Sequence, residues 1–95
     1  MFELRKTGAS NHAILMENGS PIGVREDNRT YMVGDLVTVS PDSQGYISPG
    51  IRTPGIGVIY QINLDYTDHY YKVRMISGES GSIKSARISQ VLANN

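Results

Sequence analysis

The stretch that decides the fold is His69-Tyr70-Tyr71-Lys72-Val73-Arg74-Met75-Ile76, in which apolar and polar side chains alternate. Alternation with a period of two residues is typical of a β-strand with one buried face. It places Tyr71, Val73 and Met75 toward the core and the side chains between them toward solvent. The segment therefore predicts a half-buried β-strand.

Shorter runs of the same character flank this strand and are separated by turn-forming residues. A hairpin is predicted over residues 12–26, because Asn18-Gly19 supplies the positive φ angles that tight hairpin turns need. Further strands are predicted at residues 36–40, 56–62, 82–84 and 88–92. Residues 83–92 also fit helical spacing, so a short helix remains the alternative there.

The composition favours the same class of fold. Val, Ile and Thr number 22 against nine Ala and Leu, a balance that suits pleated strands better than helices. Ten Gly and four Pro divide the chain into short segments. With 95 residues, the chain has the length of one domain. We expect an all-β protein.

Charge and apolar content exclude several functional classes. Nine basic and nine acidic residues balance, so no overall positive field attracts nucleic acid or anionic lipid. There is no Cys, which removes disulfides and thiolate chemistry. The longest apolar run is four residues, and the N-terminus lacks a signal-peptide pattern. We expect no membrane partner and a cytoplasmic location.

The strand pattern also predicts a core and a long loop. Residues 41–55 contain three Pro and three Gly, too many for regular structure, and long loops of small barrels often make contacts. Asp35, between Gly34 and a strand, is predicted to have a structural role in a turn. The predicted core is formed by apolar residues of three strands: Val37, Val39, Val58, Ile62, Tyr71, Val73 and Met75.

Four segments together carry a resemblance to a known fold. They are Val33-Gly34-Asp35-Leu36-Val37-Thr38-Val39, Gly55-Ile56-Gly57-Val58-Ile59, Tyr71-Lys72-Val73-Arg74 and Ile88-Ser89-Gln90-Val91-Leu92. Their order resembles SH3-like small barrels of the KOW and Tudor type, and the chain as a whole is similar to small structural proteins of tailed-phage virions. The resemblance implies an SH3-like barrel over residues 33–95, preceded by an N-terminal β-hairpin extension over residues 1–32. It also implies a location in the virion if the chain is of phage origin.

The resemblance further implies a non-enzymatic protein that packs into a larger assembly. Its partner would be another protein or further copies of the same chain. A free edge of the small barrel would be available for strand addition. The partner contacts are expected in the N-terminal hairpin and in the long loop, where the candidate residues are Tyr46, Ile47, Ile51 and Arg52.

The alternative is a nucleic-acid-binding barrel. Residues 35–69 carry a net charge of minus three and residues 70–95 a net charge of plus three, so basic residues concentrate near the C-terminus. Cations can bind phosphates while aromatic rings stack on bases. The residues predicted for this role are Tyr70, Lys72, Arg74, Lys84 and Arg87.

The sequence predicts neither a catalytic residue nor a cofactor. Asp65, Asp68 and His69 contain donor atoms suited to a cation, but they lack the fixed spacing of a known cation loop. His12 has no identifiable nucleophile near it in the sequence and is interpreted as a surface histidine. We expect no metal site.

Overall fold

The structure is a computed structural model that describes residues 2–6, 12–26, 29–40, 51, 54–64 and 69–93, the first of these ranges for its backbone alone. The described residues form nine strands and one short 3₁₀-helix. These are β1 (Phe2–Lys6), β2 (His12–Glu17), β3 (Ser20–Glu26), β4 (Arg29–Met32), β5 (Leu36–Val39), β6 (Gly55–Leu64), β7 (His69–Met75), β8 (Ser80–Ile83), the 3₁₀-helix Ser85–Arg87 and β9 (Ile88–Ala93).

The strands form two antiparallel sheets, which confirms the all-β class. One sheet has the order β1-β2-β3-β4 and the other the order β8-β7-β6-β5-β9. The two sheets are not closed into a barrel, so β4 and β9 are terminal strands of their respective sheets. Within the described ranges, no helix is long and apolar enough to cross a membrane.

The hairpin and the C-terminal strand agree with the sequence predictions. Asn18 and Gly19 have φ angles of 51° and 80°, the positive values that a tight turn between β2 and β3 requires. Residues 88–93 form a strand rather than a helix, after a single 3₁₀ turn. The sequence did not predict β1 or β4, which extend the hairpin on both sides into a four-stranded sheet.

One hydrophobic core lies between the sheets. The four-stranded sheet contributes Ile14, Met16, Val24 and Tyr31, so residues before 33 pack directly on the second sheet. Six of the seven predicted core residues are buried: Val37, Val39, Ile62, Tyr71, Val73 and Met75.

The prediction that Val58 belongs to the core is wrong. Its side chain is 38% exposed, whereas its neighbour Ile59 is fully buried. The pairing of β6 with β7 shifts between Ile59 and Gln61, where an extra residue forms a β-bulge. Because of this bulge, Ile59 and Ile62 face the same side although they are three residues apart, and Val58 faces outward.

Asp35 has the structural role that the sequence predicted. Its side chain is buried, and its Oδ2 accepts a hydrogen bond from the Met32 backbone N–H at 2.9 Å. The Asp35 backbone N–H donates to the Met32 carbonyl at 3.1 Å, while its carbonyl accepts from the Ile59 N–H at 3.0 Å. The turn at Asp35 therefore joins the end of the first sheet to β6 of the second.

Candidate functional site

Three of the predicted nucleic-acid contacts lie together on the outer face of β7. Tyr70, Lys72 and Arg74 alternate with the buried residues of that strand. The Lys84 ammonium lies 5.3 Å from the centroid of the Tyr70 ring, and the Arg74 guanidinium lies 5.2 Å from that of Tyr60. These distances fit cation–π contacts. The fold thus brings cations and aromatic rings onto one face.

Arg87 does not belong to this face. Its side chain is buried, and its Nε donates a hydrogen bond to the Ser40 carbonyl at 3.0 Å. The Ser40 backbone N–H and hydroxyl in turn donate to the Arg87 carbonyl. Arg87 therefore connects the end of β5 to the start of β9, because its short 3₁₀ turn directs the side chain inward.

Of the four predicted partner contacts in the long loop, only Ile51 lies among the residues that the structure describes. Ile51 is fully buried and belongs to the hydrophobic core, because its side chain packs inward between the sheets. It therefore does not present a surface to a partner. Tyr46, Ile47 and Arg52 lie outside the described residues.

An exposed apolar patch occupies the outer face of the five-stranded sheet. Ile56, Val58 and Tyr60 of β6 are each between 36% and 40% exposed. Ile76, which is 76% exposed, lies beside them because its backbone N–H donates to the Ile56 carbonyl at 2.9 Å. Contiguous exposed apolar side chains are typical of protein-binding surfaces.

An open groove separates the terminal strands of the two sheets. Its volume is about 460 Å³. A terminal strand presents a row of backbone N–H and C=O groups that its own sheet does not pair. The residues that line the groove come from β4 and β9: Arg29, Thr30, Tyr31, Ser89, Gln90 and Val91.

The register of β4 shows which of its amides points away from its own sheet. The Val33 N–H donates to the Ile22 carbonyl at 2.8 Å, and hydrogen-bonded residues alternate along an antiparallel strand. The amide of Tyr31 therefore points toward β3 and that of Thr30 away from it. The Met32 amide fits the same alternation, because its N–H points away from β3 and donates to the Asp35 carboxylate.

A second candidate site is a cluster of titratable side chains between the sheets. His12 of β2 and Glu26 of β3 are directly opposite in the strand register, and His69 of β7 faces them from the other sheet. The distance from Nε2 to the nearest Glu26 oxygen is 3.6 Å for His12 and 3.4 Å for His69. Imidazole nitrogens and a carboxylate so arranged could hold a metal ion.

Hydroxyl groups complete the surroundings of the Glu26 carboxylate. The Tyr71 hydroxyl donates to Oε2 at 2.6 Å, and the Ser85 hydroxyl donates to Oε1 at 2.9 Å. Burial alone would raise the pKa of Glu26, but hydrogen bonds from His69, Tyr71 and Ser85 and the charge of His69 lower it to about 2. Burial, and then the bond to this carboxylate, raise the pKa of Tyr71. Glu26 is therefore ionised at neutral pH.

Sequence reasoning did not find this cluster. Counting back from the Asn18-Gly19 turn pairs His12 with Arg25, and only the one-residue register shift between Leu15 and Met16 brings Glu26 opposite His12. His69 was grouped with Asp65 and Asp68, which lie outside the described residues. Nothing in the sequence indicates that His69 reaches Glu26, because the two residues meet only when the sheets pack.

The Glu26 network predicts a loss of stability in acid. A carboxyl group with a lowered pKa stabilises the folded state above the pKa of the unfolded chain and loses that contribution as the pH falls toward the folded value. The affected range runs from pH 4.5 down to about 2. We expect a loss of roughly 3 kcal/mol in that range.

Urea unfolding with a chelator present, at several pH values across this range, measures the effect. The Glu26→Gln variant is the control, because it lacks the titrating group. Equal pH dependence of the wild-type protein and this variant would show that Glu26 is not responsible.

Comparison of the chain with protein-family models, curated proteins and solved structures finds no significant match.

Proposed function

We propose that this protein is a non-enzymatic assembly module in which copies of the chain join by strand addition at the groove between β4 and β9. The observation that carries the proposal is the groove itself, with a terminal strand on each side. The unpaired N–H and C=O groups of a terminal strand can form hydrogen bonds with the backbone of another extended segment. The Thr30 amide is the donor on the β4 side.

The occupant we propose is a second copy of the chain. Each copy has this groove as well as the terminal strands β1 and β8 at the opposite ends of its sheets. The groove of one copy would bind a terminal strand of the next copy. Because these are two different surfaces of the chain, the contact is head-to-tail, and its repetition gives a ring or a filament.

Strand addition would also complete the barrel that the sequence resembles. A strand paired with both β4 and β9 would connect the four-stranded sheet to the five-stranded sheet. The SH3-like architecture is thus part of this proposal, with closure supplied by the neighbouring copy. Repeated addition of identical copies suits the virion of a tailed phage, which is the setting we propose.

The exposed patch of Ile56, Val58, Tyr60 and Ile76 supports an assembly role. These side chains lie on the outer face of the second sheet. Burying them against a neighbour would add apolar stabilisation to the backbone pairing.

Replacing Thr30 by Pro tests the strand addition. Proline removes the one amide that points from β4 into the groove, and it leaves the ladder between β3 and β4 intact. We expect the wild-type protein to associate between about 10 µM and 1 mM, and the variant to associate at least about tenfold more weakly. Sedimentation velocity over this range measures both.

The matched control is Thr30→Val, which keeps the amide and a β-branched side chain of similar size. It should associate as the wild-type protein does. A monomeric wild-type protein over the whole concentration range would contradict self-assembly. Equal association of the Pro and Val variants would contradict the use of this edge.

The second candidate function is nucleic-acid binding. It is favoured by the cation–π contacts between basic side chains and tyrosine rings on the outer face of β7 and the adjacent strands. Lys84 on Tyr70 and Arg74 on Tyr60 combine phosphate-binding charge with stacking surfaces. Binding would release counterions, so affinity for single-stranded or duplex DNA should fall steeply between about 50 and 200 mM salt. Fluorescence anisotropy measures this, and absence of binding at the lower salt would eliminate the candidate.

A further inference from the structure

We propose that His12, Glu26 and His69 bind a divalent cation of the zinc class at the junction of the two sheets. His12 and Glu26 come from neighbouring strands of the first sheet, and His69 comes from β7 of the second. This site is independent of the groove used in the proposed assembly.

The separations of the donor atoms approach those of a tetrahedral ion. Bonds of the usual zinc length place neighbouring ligand atoms about 3.3 Å apart. The Nε2 atom of His12 lies 3.6 Å from Oε1 of Glu26, and that of His69 lies 3.4 Å from Oε2. All three donor atoms lie within 4.8 Å of one another. To complete the coordination around one Glu26 oxygen, the rings would move inward, closing the donor separations by up to about 1.5 Å.

The kind of donor selects the class of ion. Two imidazole nitrogens and one carboxylate suit zinc and similar transition metals, whereas calcium and magnesium prefer oxygen ligands throughout. Both imidazoles direct Nε2 toward Glu26, and binding the ion requires that Nε2 give up any hydrogen it carries, so that the ring hydrogen resides on Nδ1.

Residues around the cluster hold the ligands in place. Each Glu26 oxygen has its own hydroxyl donor, Tyr71 on Oε2 and Ser85 on Oε1. The ring of His69 meets those of His12 and Tyr71 edge to face, at centroid distances of 5.5 and 5.6 Å. Such outer contacts fix the orientation of metal ligands and increase affinity.

The exposure of the ligands differs in a way that suits ion entry. The His69 side chain is 6% exposed and that of Glu26 is 11% exposed, whereas that of His12 is 25% exposed. An ion can enter on the His12 side, and a water molecule can occupy the fourth position there. Because its ligands come from both sheets, the bound ion would stabilise their packing.

Zinc titration of the chelator-treated full-length chain tests the proposal. We expect one Zn²⁺ per chain in native mass spectrometry. With free zinc at about 100 times its Kd, the melting temperature should rise by about 10 to 20 °C. Magnesium at the same concentration should leave it unchanged. Absence of a one-to-one complex, or an equal effect of magnesium, would overturn the proposal.

The His12→Gln variant assigns the ion to this cluster. His12 is partly exposed and makes no hydrogen bond to Glu26, so the metal-free variant should melt near the wild-type temperature. Its zinc affinity should fall on the order of 100-fold. Glu17→Gln, on the same strand but outside the cluster, is the control and should bind as the wild-type protein does. Equal zinc affinity of the His12 variant and the wild-type protein would overturn the assignment.

Discussion

Replacing Glu26 by Ala should lower the free energy of unfolding by about 3 to 5 kcal/mol, the cost of removing one partner from a buried charged network. Glu26 is the shared acceptor of the cluster, and it connects β3 to β7 and to the 3₁₀-helix. Without the carboxylate, the Tyr71 hydroxyl loses its acceptor inside the protein. A buried donor without a partner costs more than the bond itself contributes.

Two comparisons separate this effect from a general weakening of the hairpin. Glu17→Ala, at the other end of β2, should cost less than about 1 kcal/mol. Ser85→Ala removes a single hydrogen bond to Glu26 and should cost about 1.5 to 3 kcal/mol. Urea denaturation at neutral pH measures all three. If Glu26→Ala were no more destabilising than Glu17→Ala, the network would not hold the sheets together.

Replacing Gly57 by Ala should cost about 3 kcal/mol, because the added methyl group has no room. A Cβ at this position would lie 2.6 Å from Val73 Cγ1, 2.8 Å from Met75 Sδ and 2.9 Å from the Arg74 carbonyl oxygen. The carbonyl belongs to the backbone of β7 and cannot turn aside as a flexible side chain can. The β6–β7 pair would have to separate at the centre of the core.

Gly55→Ala is the matched control for this substitution. Gly55 lies in the same strand, two residues earlier, and a Cβ there would meet only the flexible end of Met75, at 3.3 Å. It should change stability by less than about 1 kcal/mol. Thermal or urea unfolding of the two variants provides the comparison. Equal stabilities would mean that β6 does not approach β7 as closely at Gly57 as the structure shows.

Strands could be predicted from the sequence where the pattern of side chains depends only on neighbouring residues. The alternation in β7 and the Asn18-Gly19 turn are each fixed by neighbouring residues, and both predictions are confirmed. The phase of β6 could not be predicted, because the bulge after Ile59 depends on pairing with β7. The four residues of β4 were missed because the strand is short and contains two exposed residues.

The candidate sites depend on contacts between distant segments, which explains why the sequence indicated them only in part. Tyr70, Lys72 and Arg74 follow from one alternation and were found. The groove forms because β4 is the terminal strand of one sheet and β9 that of the other. The cluster of His12, Glu26 and His69 forms because His69 faces a hairpin that lies more than 40 residues earlier in the chain.

The most direct test of assembly through the β4 edge is the hydrogen exchange of the Thr30 amide, measured by NMR in dilute and concentrated solutions. In dilute solution Thr30 should exchange much faster than Tyr31, whose amide is bonded to β3. At concentrations where the chain associates, the Thr30 amide should become protected, because it then donates to a neighbouring copy. Fast exchange of Thr30 in the associated protein would contradict strand addition at this edge.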